Sequence, residues 1–403
     1  MILQRNEELL RVMNYTNNLT VWILIFIVPA TLLNSATFYL ESSDAYKIPK
    51  IIDTVLVGSR PHSTEFALGK VYVTNSGSDS VSVIDSKTDK VISTIPVGAD
   101  PHGLAAINNV YEHGNHDPDS NQLSQFSYVY VANTDSNTVS VIDCNTDRVI
   151  STIPVEDNPV GIIASNTSGK VYVSNRGSDS VSIIDGKTNE VVESISVGST
   201  PEGLSQIFLD ETNNRTAVTI VYVVNTASNS ISSIDGNTNK VIATIYVGKE
   251  PHGIIANDIA AEVYIANSGS DSVSIIDANA NKVIATIPVG NDPHRLDLFM
   301  GYAYVTNTAS NSVSVIDPNN KGVITTIPVD ISPRDIAIDK GGYAYTTNKD
   351  ANNVSVIDLK TNSVVSTIPV GLIPNDVIVP SLNPFHKVYV TNSDSNSVSI
   401  ITG

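Results

Sequence analysis

One phrase returns eight times along this chain. An aliphatic–Tyr–aliphatic triplet, or a close variant, closes on Asn and is followed by small polar residues and a Val-Ser-Val-Ile-Asp run. The first copy reads VYVTNSGSDSVSVID from Val71, and the last reads VYVTNSDSNSVSIIT from Val388. The tyrosines are Tyr72, Tyr130, Tyr172, Tyr222, Tyr264, Tyr304, Tyr345 and Tyr389, in steps of 58, 42, 50, 42, 40, 41 and 44 residues. A period near forty with four strand-like runs per unit is the signature of a radial array of small sheets. The expected fold is therefore all-β: a β-propeller of four-stranded antiparallel blades. Eight copies predict eight blades, with seven as the alternative if one degenerate unit lies outside the ring.

The unit Pro251 to Gly290 shows how one blade arises. PHGIIAND, AEVYIAN, DSVSIIDANANK and KVIATIPVG are short β-branched runs bounded by Gly, Pro, Asn, Asp and Ser. In VYVTN, Val71 and Val73 point to one face and Tyr72 to the other, because strand side chains alternate. Both faces are apolar or aromatic, as a sheet packed between two neighbours requires. Asn75, Asn133, Asn175, Asn225, Asn267, Asn307, Asn348 and Asn392 end the second strands, where an Asn is expected to bond its own turn backbone in left-handed geometry. Asp85, Asp143, Asp185, Asp235, Asp277, Asp317 and Asp358 end the third strands and suit a side-chain-capped turn. A calcium loop would need a bidentate Glu and fixed oxygen spacing, which these segments lack.

The fourth-strand phrase first occurs before the first tyrosine, as IIDTVLVG at Ile51 to Gly58, while the last unit stops at Gly403 after three strands. The surplus strand at the start is expected to complete the last blade. That arrangement removes an open sheet edge.

Ahead of the array, Leu19 to Leu40 carries no charged residue over 22 positions, with Arg5 and Arg11 before it. At about 1.5 Å per residue such a helix reaches across a bilayer core of about 30 Å. Its densest stretch, Val21 to Leu33, also has the length of a signal-peptide core. A signal-anchor and a cleaved signal peptide both fit; the absence of a convincing small-x-small triplet after Leu33 favours the anchor. The organisation read from the sequence is a polar segment at 1–18, a transmembrane or signal segment at 19–40, a linker at 41–50 and the propeller at 51–403. The expected location is outside the cytoplasm, anchored through residues 19–40 or secreted if the leader is cleaved.

VYVTN followed by SVSVID and STIPVG resembles the YVTN-repeat β-propeller family, known from archaeal surface-layer proteins and bacterial relatives. The likeness runs from Ile51 to Gly403. It implies a propeller displayed outside the cell in surface or adhesion roles, without a catalytic set to carry over. Some bacterial relatives are described as DNA-binding. The formal charge of −18 works against a nucleic-acid partner here, because no excess of Lys and Arg exists to release phosphate counterions. The single cysteine, Cys144, rules out an intramolecular disulfide.

Two features carry candidate chemistry. His62, His102, His252 and His294 each follow a Pro at the start of a first strand, beside the central channel. They fall in units 1, 2, 5 and 6, two adjacent pairs on opposite sides of an eight-membered ring; Val160, Glu202, Arg334 and Asn375 hold this place elsewhere. One neighbouring pair has the right spacing to converge on a metal ion, while the bland alternative is a repeat consensus at a channel rim. The second feature is an insertion in unit 2, Asn108 to Ser127, with His113, His116, Asp117 and Asp119. Unit 4 carries a shorter one, FLDETNNRTAVTI. Long loops on a rigid ring are where binding specificity usually sits. Asn166, Asn214 and Asn353 head glycosylation sequons on expected turns.

No phosphate loop, helix-borne His pair or nucleophile elbow occurs, and no cofactor is implied. The sequence therefore points to a non-enzymatic surface propeller that contacts protein or glycan. The rival is a metal-binding or redox propeller using the channel-rim histidines, and a lyase-like propeller has no residue-level support.

Overall fold

The computed structural model describes residues 49–108, 127–209, 218–380 and 387–402. The segment 19–40 and the tract containing His113, His116, Asp117 and Asp119 lie outside the described residues, as does Asn214. Within them, thirty-two strands form eight four-stranded sheets, all pairings antiparallel between sequence neighbours except at one seam. The chain is an eight-bladed β-propeller, and the seven-bladed alternative is set aside. No helix among the described residues is long and apolar enough to cross a membrane.

Blade 1 comprises Pro61–Ala67, Lys70–Asn75, Ser80–Asp85 and Lys90–Pro96. The innermost strands of blades 2 to 7 begin at Pro101, Pro159, Pro201, Pro251, Pro293 and Pro333. Blade 8 takes Pro374–Ile378, Lys387–Asn392 and Ser397–Thr402 from the C-terminal unit, with Lys50–Leu56 paired antiparallel to Ser397–Thr402. That outer strand starts one residue earlier than the phrase Ile51 to Gly58. Each innermost strand packs on the next, and Pro374–Ile378 packs on Pro61–Ala67, so the series is circular.

Eight apolar clusters fill the eight gaps between blades, which is why both faces of each sheet are hydrophobic. Tyr264, Val273, Ile275 and Ile287 of blade 5 meet Leu296, Ala303, Val305 and Ile316 of blade 6. The gap between the two ends of the chain is filled in the same way, by Tyr389, Val398 and Ile400 against Val71, Val73 and Ile84. Seven of the eight repeat tyrosines are less than 2% exposed. Several anchor their hydroxyls in the next blade: Tyr72 donates to Asp147, Tyr130 to Asn189, Tyr222 to Asn281 and Tyr304 to Asn362. The outer strands alternate between half-buried and exposed, as the rim of a disc should.

The repeat asparagines correct the expectation from sequence. All eight are buried with ordinary negative φ, and none caps its own turn. Instead the amide nitrogen reaches across to the third strand: Asn267 Nδ2 donates to Ser272 Oγ at 3.2 Å and Ser274 Oγ at 3.0 Å. The left-handed turn residue comes four positions later, and it is the one that caps. Asp79, Asn137, Asp179, Asn229, Asp271, Asn311, Asn352 and Asn396 each accept a backbone N–H from the crossover to the next blade. Short polar side chains that tolerate positive φ and bond locally explain why Asx fills all eight places. The third-strand aspartates do cap their turns; Asp85 Oδ1 accepts the N–H of Lys87 and Thr88. Asn353 is a further correction: it opens the strand Asn353–Asp358 rather than sitting on a turn. Asn166 lies on an exposed turn.

Candidate functional site

Every innermost strand begins with Pro, then slips register before its fourth residue. This bulge re-aims the second and third side chains, so the residue after Pro stands at the mouth of the channel in each blade. The ring of these residues is His62, His102, Val160, Glu202, His252, His294, Arg334 and Asn375.

The structure brings the four histidines together as two pairs. His62 and His102 lie with ring centroids 4.2 Å apart, tilted by 52°, and His252 and His294 stack at 5.7 Å with 16° between planes. His62 Nδ1 shares a hydrogen bond with Ser63 Oγ at 3.0 Å, and His252 Nδ1 faces Glu202 Oε2 at 3.2 Å. Burial, with help from His102 and the guanidinium groups of Arg334, Arg295 and Arg60, pushes His62 down to about 3. Burial and Arg295, Arg334 and His252 do the same to His294, also to about 3. Both imidazoles are therefore neutral at physiological pH. Burial lowers His102 as well, against the opposing pull of Asp100. Burial raises the Glu202 carboxyl, yet the bond from His252 and the charges of His252, Arg176 and Arg295 outweigh it and hold the group below its ordinary range.

No group of three or more His, Cys, Asp or Glu side chains arranged to hold a metal occurs among the described residues. Each histidine pair offers two nitrogens, short of the four ligands of a structural zinc site. The unit 2 insertion lies largely outside the described residues. Its flanking residues Asn108 and Ser127 pair with each other at the far end of the strands from Pro101 and Asn133. The two candidate features of the sequence thus leave from opposite ends of blade 2.

The position two after Pro divides the ring into halves. Blades 2 to 5 carry Gly103, Gly161, Gly203 and Gly253, because the carbonyl of the next blade presses on each; a Cβ on Gly161 would lie 1.9 Å from the Glu202 oxygen. Blades 6, 7, 8 and 1 carry Arg295, Asp335, Asp376 and Ser63 instead. There the blades are joined by carboxylates. Asp297 accepts the N–H of Ile338, Asp335 that of Val377, and Asp376 both the N–H and the hydroxyl of Thr64. Burial raises Asp297 to about 6 and Glu65 to about 7, and burial beside Asp335 raises Asp376. Shifted groups concentrated in one cleft mark a candidate functional site. Sequence reading found the histidines by the Pro-His repeat but passed over Arg295 and the carboxylates. Their signal was the break in Pro-His-Gly at Pro293-His294-Arg295.

Comparison with known proteins agrees on the fold. Residues 211–403 match the family described as YNCE-like beta-propeller. No curated protein matches. Among solved structures, Kuenenia stuttgartiensis hydrazine synthase superposes with TM-score 0.56 at 20% identity, covering 85% of this chain and 96% of that one. The computationally designed Ika8 protein gives TM-score 0.65 at 10% identity, over 86% of this chain and 98% of that one. Dihydro-heme d1 dehydrogenase NirN in complex with DHE gives 0.60 at 16% identity, over 87% and 79%. At these identities the likeness is one of fold.

Proposed function

We propose that this chain is a non-enzymatic propeller presented outside the cytoplasm, whose rigid disc binds a protein or glycan partner. Three equivalent clefts carry this reading. They open between successive blades, where the end of one outer strand faces the turn and outer strand of the next. Their volumes are about 460, 470 and 530 Å³, within the usual range for small-ligand sites. All are lined by small hydroxylated residues. In the cleft between blades 4 and 5, Tyr246 stands beside Ser270, Asp271, Ser272, Ser274 and Thr286. Tyr246 is 76% exposed, at the place where five other blades have Pro. An open ring face beside convergent hydroxyls suits a sugar, which presents a C–H face and a polar edge.

The uncharged segment 19–40 and the YVTN-like repeat support display outside the cytoplasm, with 19–40 as anchor or as a removed leader. The domain organisation 1–18, 19–40, 41–50 and 51–403 belongs to the same proposal, as does a partner set without nucleic acid. The test is binding of the full chain to immobilised oligosaccharides and surface-protein fractions. Tyr246→Ala is expected to weaken retention at least tenfold and Tyr246→Trp to keep it. Equal retention by wild type and Tyr246→Ala contradicts the cleft as the contact.

A metal-binding or redox channel is the second reading, favoured by the pairing of His62 with His102 and of His252 with His294. One structural neighbour acts on dihydro-heme d1, and it shares the fold with this chain. Metal analysis after expression in zinc-, copper- and iron-replete medium decides it: stoichiometric metal, lost in His62→Ala with His102→Ala, supports this reading, and metal-free protein removes it.

A further inference from the structure

Although the chain carries a formal charge of −18, four of the five arginines among its described residues gather at one end of the channel. Arg60 lies on the crossover into blade 1, Arg176 on the turn of blade 3, and Arg295 and Arg334 at the starts of blades 6 and 7. The fifth, Arg148, opens an outer strand. Three lysines at blade interfaces are neutralised, Lys70 by Asp147, Lys321 by Glu262 and Lys387 by Asp89, while Lys170 is held by the Gly236 carbonyl and the Asn239 side-chain oxygen. Arg176 pairs with Glu202 at 3.3 Å. Arg60, Arg295 and Arg334 form no salt bridge among the described residues.

These three lie on one arc. Running from blade 6 through blade 1, the channel mouth presents His294 and Arg295, then Arg334, then Asn375, then His62 with Arg60 beside it. Arg295, Arg334 and Arg60 all act on His62, and Arg295 and Arg334 both act on His294. The opposing charges beside Arg334 are Asp292 and Asp335, and Glu202 and the buried Asp376 also feel Arg295; Asp335 is engaged with the N–H of Val377 and Asp376 with Thr64. The other half of the mouth is balanced by Asp100, Asp135 and Glu202. His294 Nδ1 is buried without a protein partner. Arg60 and Arg295 are exposed, so their guanidinium groups are open to a ligand.

We propose that this arc of the channel mouth binds a small polyanion carrying two or more carboxylate or phosphate groups. Arg60, Arg295 and Arg334 are its charge partners, with Asn375 and the neutral imidazoles of His62 and His294 as hydrogen-bonding neighbours. Planar guanidinium forks match both oxyanions in bidentate geometry. The same arginines repel a cation, so anion binding and metal binding are opposed outcomes at this mouth. The inference does not depend on the clefts between blades.

The test is calorimetric titration of the full chain with citrate and, separately, with tripolyphosphate, at low and at physiological salt. Saturable binding of one or both at one site is expected, weakened at higher salt as screening shortens the reach of the charges. Preference between the two probes identifies the oxyanion. Arg295→Gln with Arg334→Gln should weaken binding at least tenfold, Arg60→Gln alone about threefold, and Arg148→Gln not at all. Because Arg60 is exposed on a crossover, its variant remains informative if the double variant fails to fold. Bound anion should also raise the pH at which the His62 and His294 imidazole NMR signals titrate. The proposal is overturned if neither probe binds, if Arg60→Gln or the double variant binds as tightly as wild type, or if zinc alone occupies the mouth.

Discussion

The backbone N–H of Arg60 donates to Oδ1 of Asn396 at 2.9 Å, across 336 residues of sequence. It is the eighth copy of a contact made at every blade junction, with the C-terminal unit capping the crossover into the first. Asp holds this place in three other blades, at Asp79, Asp179 and Asp271. Asn396→Asp should therefore be tolerated. Asn396→Ala loses the acceptor and places a Cβ residue without local bonding in left-handed geometry, at a cost of about 1–2 kcal/mol. Urea unfolding of the three proteins checks the order.

The buried asparagines make a second prediction. Removing Asn267 deprives Ser272 and Ser274 of their shared donor and leaves a hole beneath Gly248, whose Cβ position is filled by that amide. Asn267→Ala should cost about 2–3 kcal/mol, two buried hydrogen bonds at about 1 kcal/mol each plus the cavity. Chemical denaturation measures it, and a cost within about 0.5 kcal/mol of an exposed outer-strand substitution would show that the bonds carry nothing.

Much of this was legible because a repeat writes its own alignment. Residues that recur at one place in eight units, such as Tyr264, or in seven, such as Asp277, declare their strand and face without further help. The role of Asn267 was misread because its position at a strand end looks the same whether the side chain folds back on its turn or reaches across the sheet. Only the pairing of Asn267 with Ser272 reveals the latter. The candidate site was half legible for a related reason. The Pro-His pairs stand out as repetition, whereas Arg295, Asp335 and Asp376 matter as departures from a glycine, and departures carry no periodic signal.

Gly161 tests the glycine half of the ring. An added Cβ meets the backbone carbonyl of Glu202 at 1.9 Å, and a carbonyl fixed in a strand cannot swing aside as a side-chain tip does. Gly161→Ala should destabilise by at least about 2 kcal/mol through overpacking. It should also displace Glu202, so that the His252 NMR signals move. Gly203→Ala, with 3.0 Å to the nearest atom, should cost less.

Glu65 gives the ring a pH dependence of known sign. Burial raises its carboxyl to about 7 in the folded protein, so the folded state holds a proton that the unfolded chain releases above its ordinary value. The contribution to stability is present below the unfolded value and is lost as pH rises through about 7. Glu65→Gln should therefore change little at pH 4.5 and stabilise by about 1–3 kcal/mol at pH 8. Melting temperatures of wild type and variant across that range test it; a constant difference would contradict the assignment.

The account rests on a single ring whose two ends share blade 8, with Lys50 opposite Thr402 in register. Facing residues of antiparallel strands lie within disulfide reach, and Cys144 is buried between blades 1 and 2, away from the seam. The direct measurement is mild oxidation of the full chain carrying Lys50→Cys and Thr402→Cys, followed by peptide mass mapping of the monomer. An intramolecular cross-link between the two substituted positions is the predicted result. Free thiols, or bridges formed only between molecules, would contradict the closed ring.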